Sequence, residues 1–245
     1  QMMMKKTLIA TAMLATTAVA QAEISGNVSM ASDYVFRGIS QTDNQMALQG
    51  GFDYAHESGL YVGTWASNVD SDFFNGAGHD PQLEVDLYGG YSNELANGIG
   101  YDVGYLRYQY PGFDDANTNE FYVGGSYKDF SLQVNYSDEL KFLPSDQSAW
   151  YWKAGYDTTL PWYEIGLSAH IGYSTGDAFD VDDSDRAKGD SGFYDTYTDW
   201  SLGLSKSVYG VDLGITYTDL DLSSKDDCNA DFCDSKFVFS ISKSL

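Results

Sequence analysis

Nine carboxylates fall at positions that an alternating chain would turn to one face: Asp53, Glu84, Asp86, Asp102, Glu120, Asp157, Glu164, Asp199 and Asp212. Few cations oppose them; Lys153 and Lys236 are two, and His170 is an imidazole of the same parity. Gathered inside a closed sheet, such a set makes a negative potential that favours cations and disfavours anionic solutes. The same residues also suit a filled, hydrogen-bonded interior that conducts little, and their spacing leaves both readings open. Arg37 stands in a polar stretch between strands, either folding inward against these carboxylates to constrict a passage or lying solvated in a loop, where ion pairs are cheap and common.

Other chemistries find less support. Gly172-Tyr173-Ser174-Thr175-Gly176 has the G-x-S-x-G spacing but ends an alternating strand rather than forming a strand-to-helix nucleophile elbow, and there is no H-E-x-x-H metal motif. A barrel phospholipase would need a His and a Ser turned toward lipid, whereas His56 falls in a short turn, His79 in a loop and His170 on the inner parity. No enzyme is expected, and no cofactor. Asp177, Asp180, Asp182, Asp183, Asp185 and Asp190 crowd the longest loop, 175–195, against Arg186 and Lys188. Calcium takes several such oxygens, but the spacing is not that of an EF-hand, so a solvated acidic loop is expected and no metal site. Cys228 and Cys233 are the only cysteines. Lying in one external loop of an exported chain, they are expected to form a disulfide that closes it.

The elements that must position these groups are strands. Leu83, Val85, Leu87 and Tyr91 alternate with Glu84, Asp86 and Tyr88, which is the period of a strand with one apolar face. The pattern repeats at 130–137, 163–173 and 211–218. Weaker examples bring the count to about twelve, an even number, as single-chain bacterial barrels require. The strands are placed at 24–32, 45–54, 60–68, 82–91, 99–109, 119–127, 130–137, 148–157, 162–174, 196–206, 209–219 and 235–244. Short connections (56–59, 93–98, 128–129, 158–161, 207–208) alternate with long ones (33–44, 69–81, 110–118, 138–147, 175–195, 220–234). Short periplasmic turns and long extracellular loops make that signature, with both termini periplasmic. Pro81, Pro111, Pro144 and Pro161 lie in connections or at strand starts. Tyr54, Tyr61, Tyr91, Phe130, Trp162 and Tyr163 cluster toward strand ends, where interfacial girdles belong. The fold class is therefore all-β, a transmembrane antiparallel up-and-down barrel, read as monomeric.

Lys5 and Lys6, an apolar run from Thr7 to Val19 and Ala20-Gln21-Ala22 form an export signal with a small-x-small cleavage pattern. Residues 1–22 are expected to be removed, leaving a barrel domain over 23–245. Without them, 11 cationic residues face 36 acidic ones, a net charge of −25. Nucleic acid is excluded as a partner, because its binding needs Lys and Arg against phosphates. Aromatic content of 16% gives the chain too much to bury for disorder. The expected location is the outer membrane. Expected partners are outer-membrane lipid and lipopolysaccharide, the barrel-assembly machinery and small hydrophilic solutes diffusing passively. A non-conducting adhesin or structural barrel is the alternative.

The stretch Asp33-Tyr34-Val35-Phe36-Arg37-Gly38-Ile39-Ser40-Gln41-Thr42-Asp43 closely resembles the marker motif of the TorF-type porins. Gln49-Gly50-Gly51-Phe52-Asp53-Tyr54 and Gly59-Leu60-Tyr61-Val62-Gly63-Thr64-Trp65 are similar to that family too, and the likeness runs the mature length. The resemblance implies an outer-membrane pore but no established solute and no functional residues. The final Phe237 to Leu245 resembles a barrel-assembly signal, with Leu where an aromatic residue is usual.

Overall fold

The computed structural model describes residues 22–70, 81–141, 147–161, 163–179, 196–222 and 230–245. All of the expected export signal but Ala22 lies outside the described residues. In chain order the strands are β1 (Glu23–Ala31), β2 (Val35–Phe36), β3 (Ile39–Ser40), β4 (Ala47–Ala55), β5 (Leu60–Asn68), β6 (Leu83–Glu94) and β7 (Ile99–Gln109). Then come β8 (Thr118–Tyr127), β9 (Phe130–Ser137), β10 (Ala149–Leu160), β11 (Ile165–Thr175), β12 (Tyr197–Val208), β13 (Val211–Leu220) and β14 (Lys236–Ser244). All but β2 and β3 close into one antiparallel barrel in which sequence neighbours pair and β1 meets β14. Closure leaves no edge strand, so backbone donors and acceptors are satisfied within the ring.

Alternation decides which face goes where. Phe52, Val123 and Leu132 on the outside are 61%, 62% and 67% exposed, whereas Glu84 and Glu120 on the inside are 2% and 1% exposed. An apolar outer surface that encircles the molecule is far larger than the patches water tolerates, and it belongs in lipid.

Small and large residues alternate on the inner wall. Gly63 faces Tyr88 across β5 and β6, and Gly104 faces Tyr122 across β7 and β8. A methyl group on either glycine would strike the opposing tyrosine ring. The missing side chain lets each ring lie along the wall rather than stand into the lumen.

Three turns differ from expectation, the first because β6 runs on to Glu94 and leaves only 95–98 before β7. Val208 pairs with Val211, so Tyr209 and Gly210 form a two-residue turn, at φ +53 and +78. Both central residues are left-handed, as the twist of a tight hairpin requires, and β12 runs two residues beyond its expected end. Likewise β10 continues through Thr158 to Leu160, which pairs with Ile165, so the turn begins at Pro161. Glu164 therefore precedes β11 in an exposed turn at φ +52 and is not on the barrel wall. The expectation that it lines the interior is corrected.

Candidate functional site

Between β1 and β4 the chain folds back as a hairpin. Its ribbon is β2 on β3, with Val35 opposite Ser40 and Phe36 opposite Ile39. Arg37 and Gly38 form the turn, at φ +48 and +83, so Arg37 is carried at the hairpin tip. The base is tied by Asp33, whose Oδ1 accepts from Ser40 Oγ at 2.6 Å and Thr42 Oγ1 at 2.9 Å. Thr42 Oγ1 also accepts from Tyr34 N–H, and Gln41 N–H donates to Tyr34 O at 2.7 Å. These local bonds are the reason that polar residues, not apolar ones, dominate this stretch.

Contacts on every side show where the hairpin lies. Tyr34 packs on Trp65 of β5 and donates to Glu84 of β6 at 2.7 Å. Phe36 meets Tyr108 of β7, and Arg37 reaches Glu120 of β8 and Tyr151 of β10. Gly38 is pressed against Leu220 of β13 and Asp199 of β12, which leave no room for a Cβ. A segment that touches strands all round the ring sits inside it. Two apolar clusters close over it near the long-loop end, one around Ile39, Leu140, Phe179 and Phe232, the other around Val69, Tyr108 and Tyr110. At the rim, Lys236 Nζ approaches Asp33 Oδ2 at 3.4 Å and donates to Asn44 Oδ1 at 2.5 Å.

The structure gives most of the inner carboxylates hydrogen-bond partners, in several local clusters along the wall. Arg37 Nη2 donates to Glu120 Oε2 at 2.5 Å, while Glu120 Oε1 accepts from Asn135 Nδ2 at 2.6 Å and Tyr108 OH at 3.3 Å. Glu84 accepts from Tyr34 and from Tyr110 OH at 2.6 Å. Asp199 meets His170 Nε2 at 3.0 Å and accepts from Tyr151 OH at 3.1 Å. Asp102 accepts from Tyr61 OH at 2.7 Å, and Asp53 from Tyr88 OH at 2.5 Å. Paired hydrogen bonds of this kind are what permit carboxylates to be buried. Among the described residues three buried carboxylate oxygens remain without a hydrogen-bond partner, Asp33 Oδ2, which faces Lys236, Asp86 Oδ1 and Asp102 Oδ2.

Other expected residues lie apart. Asp157 shares the inner parity of β10 but is exposed at the short-turn end, and Asp212 stands half-buried near the same end of β13. Lys153 is half-buried on β10, within electrostatic reach of Arg37, Glu120, Asp199 and Asp102. Below the hairpin, towards the short turns, the wall is lined largely by glycine and serine, among them Gly155, Ser168, Gly203, Gly214 and Ser240. Among the described residues no group of three His, Cys, Asp or Glu is placed to hold a metal. Of the acidic loop, only Asp177 is described. It accepts from Ser148 Oγ. The expected Cys228–Cys233 bond falls on position 228, outside the described residues. Tyr61, expected in the interfacial girdle, instead faces inward and donates to Asp102, a correction of that expectation, and Tyr122 and Tyr151 were not singled out although they share the inward parity of Tyr88. Tyrosine on an otherwise glycine-rich face is the signal that finds them.

Over residues 15–245 the sequence matches the model of a family described as "Bacterial protein of unknown function (Gcw_chp)". The chain belongs to the Gcw_chp family. No curated protein matches this Gcw_chp sequence. Its fold is shared by a KdgM porin, with a TM-score of 0.53 and 9% identity over 91% of this chain and 99% of that one. A NanC porin superposes with a TM-score of 0.53 and 11% identity, over 90% of this chain and 98% of the other. At such identity the likeness is one of fold.

Proposed function

We propose that this protein is an outer-membrane channel for passive diffusion of small hydrophilic solutes, preferring cations, and that the Asp33–Gln45 hairpin with Arg37 at its tip sets its narrowest point. The observation that carries the reading is the inner wall. Carboxylates on β4, β6, β7, β8, β12 and β13 face a lumen in which Arg37, Lys153 and Lys236 are the opposing cations among the described residues. A surplus of fixed negative charge in a low-dielectric tube concentrates cations and repels anions. The fold shared with two porins supports passage of solutes rather than catalysis. The TorF-type resemblance of the hairpin sequence is in keeping with this.

The filled outer half of the lumen favours one further reading, a closed barrel whose long loops act by binding at the cell surface. Single-channel recording of refolded barrel under a salt gradient separates the two. A channel gives stepwise currents whose reversal potential lies toward the cation equilibrium value, and Asp102→Asn moves it toward zero. Silence from a barrel shown to be folded would replace the channel with the surface-binding reading.

A further inference from the structure

Arg37 is held in the way a ligand is held. Its guanidinium donates to Glu120 Oε2 at 2.5 Å and lies 4.1 Å from the centroid of the Tyr151 ring. Glu120 and Tyr151 belong to the barrel wall, whereas Arg37 arrives on an inserted hairpin. The wall side is complete without it, because Asn135 and Tyr108 fix the other oxygen of Glu120 and Asp199 fixes the hydroxyl of Tyr151. A carboxylate beside an aromatic face, both held in place from behind, is the chemistry that recognises guanidinium and ammonium groups.

A second observation points to an incoming cation. Asp86, on β6 two strands from Glu120 and within electrostatic reach of it, is 6% exposed, yet its Oδ1 has no hydrogen-bond partner. Arg37 leaves that acceptor unused. The φ values of +48 and +83 at Arg37 and Gly38 are those of the tight β2–β3 turn, so the hairpin presents the guanidinium at its tip by its own backbone geometry.

We propose that Glu120, Tyr151 and Asp86 form a binding site for the guanidinium or ammonium group of a cationic solute, and that Arg37 is a built-in competitor which the solute displaces. The inference rests on the channel reading and names the class of solute that opens it. Displacement of the tip requires that the solute replace one charge-assisted hydrogen bond and one cation–π contact, add a bond to Asp86, and outweigh the packing of Tyr34 and Phe36 on the wall.

The test uses refolded barrel in planar bilayers, with methylguanidinium chloride compared with tetramethylammonium chloride at equal ionic strength. Both carry one charge, but only the first has N–H donors. Methylguanidinium is expected to raise the conductance saturably and tetramethylammonium is not. Arg37→Gln is expected to conduct without any probe and to lose the difference. Glu120→Gln removes the charge-assisted bond of Arg37 as well as that of the solute, so it is expected to conduct without any probe and to lose the saturable response to methylguanidinium. If that variant does not fold, Tyr151→Leu tests the same site. Tryptophan emission supplies a readout independent of current. Tyr34, whose ring centroid lies 5.4 Å from that of Trp65, moves with the hairpin, so methylguanidinium shifts emission in the wild type but not in Trp65→Phe. Equal response to the two cations, or an unchanged response in Glu120→Gln, overturns the site while leaving a conducting barrel a channel. A folded but silent Arg37→Gln whose parent still shows the emission shift removes the channel and keeps the site.

Discussion

The lipid-facing assignment of the outer wall makes a quantitative prediction at Val123. β8 has ten residues, Thr118–Tyr127, and Val123 is the sixth. At about 3.3 Å per residue and a tilt of about 40°, such a strand spans about 25 Å of bilayer and puts Val123 within about 2 Å of the midplane. The side chain is 62% exposed, with Val103 and Val134 beside it across the neighbouring strands. Val123→Arg places a guanidinium in hydrocarbon, for which the expected cost is about 2–4 kcal/mol. Gln133→Arg on adjacent β9 adds the same group on the inner face, where Gln133 already donates to Asn135. It should cost under about 1 kcal/mol, as for a hydrated surface substitution. Tyr127→Arg, at the strand end, should cost between about 0 and 1 kcal/mol. Urea unfolding of barrels refolded into vesicles, followed by tryptophan fluorescence, measures all three. Equal losses at Val123 and Gln133, or a larger loss at Gln133, would refute the assignment of faces.

Gly63→Ala should destabilise the same barrel by about 1–3 kcal/mol, because the new methyl group meets the Tyr88 ring and dislodges its bond to Asp53; the unfolding midpoint reads it. Tyr61→Phe removes the donor to Asp102 and the contact with Tyr122 OH, and is expected to lower stability by about 1–3 kcal/mol, since an already half-satisfied buried carboxylate loses its one hydroxyl. Maleimide labelling of Cys228 and Cys233 in folded protein should be negligible until a reductant is added, as expected of a closed disulfide; labelling of both without reductant would remove it.

Alternation along the chain was enough to determine the barrel, its even strand number, its lipid face and the sorting of short turns from long loops. Each of these follows from the two-residue period of a strand between water and lipid, a constraint local to each segment. That is also why 60–68, 99–109 and 130–137 are placed to the residue. Turn chemistry was less legible. The left-handed residues Tyr209 and Glu164 carry no strong turn signature, so β10 and β12 run on beyond their expected ends. Glu164 consequently leaves the inner wall. What Arg37 does could not be settled by spacing, because a polar segment between strands satisfies its backbone equally well in water or in a lumen. Only closure of the barrel brings Glu84, Glu120, Tyr151 and Asp199, from strands far apart in sequence, around one hairpin. Burial among partners so distant in sequence is a property of the closed ring, and no local pattern carries it.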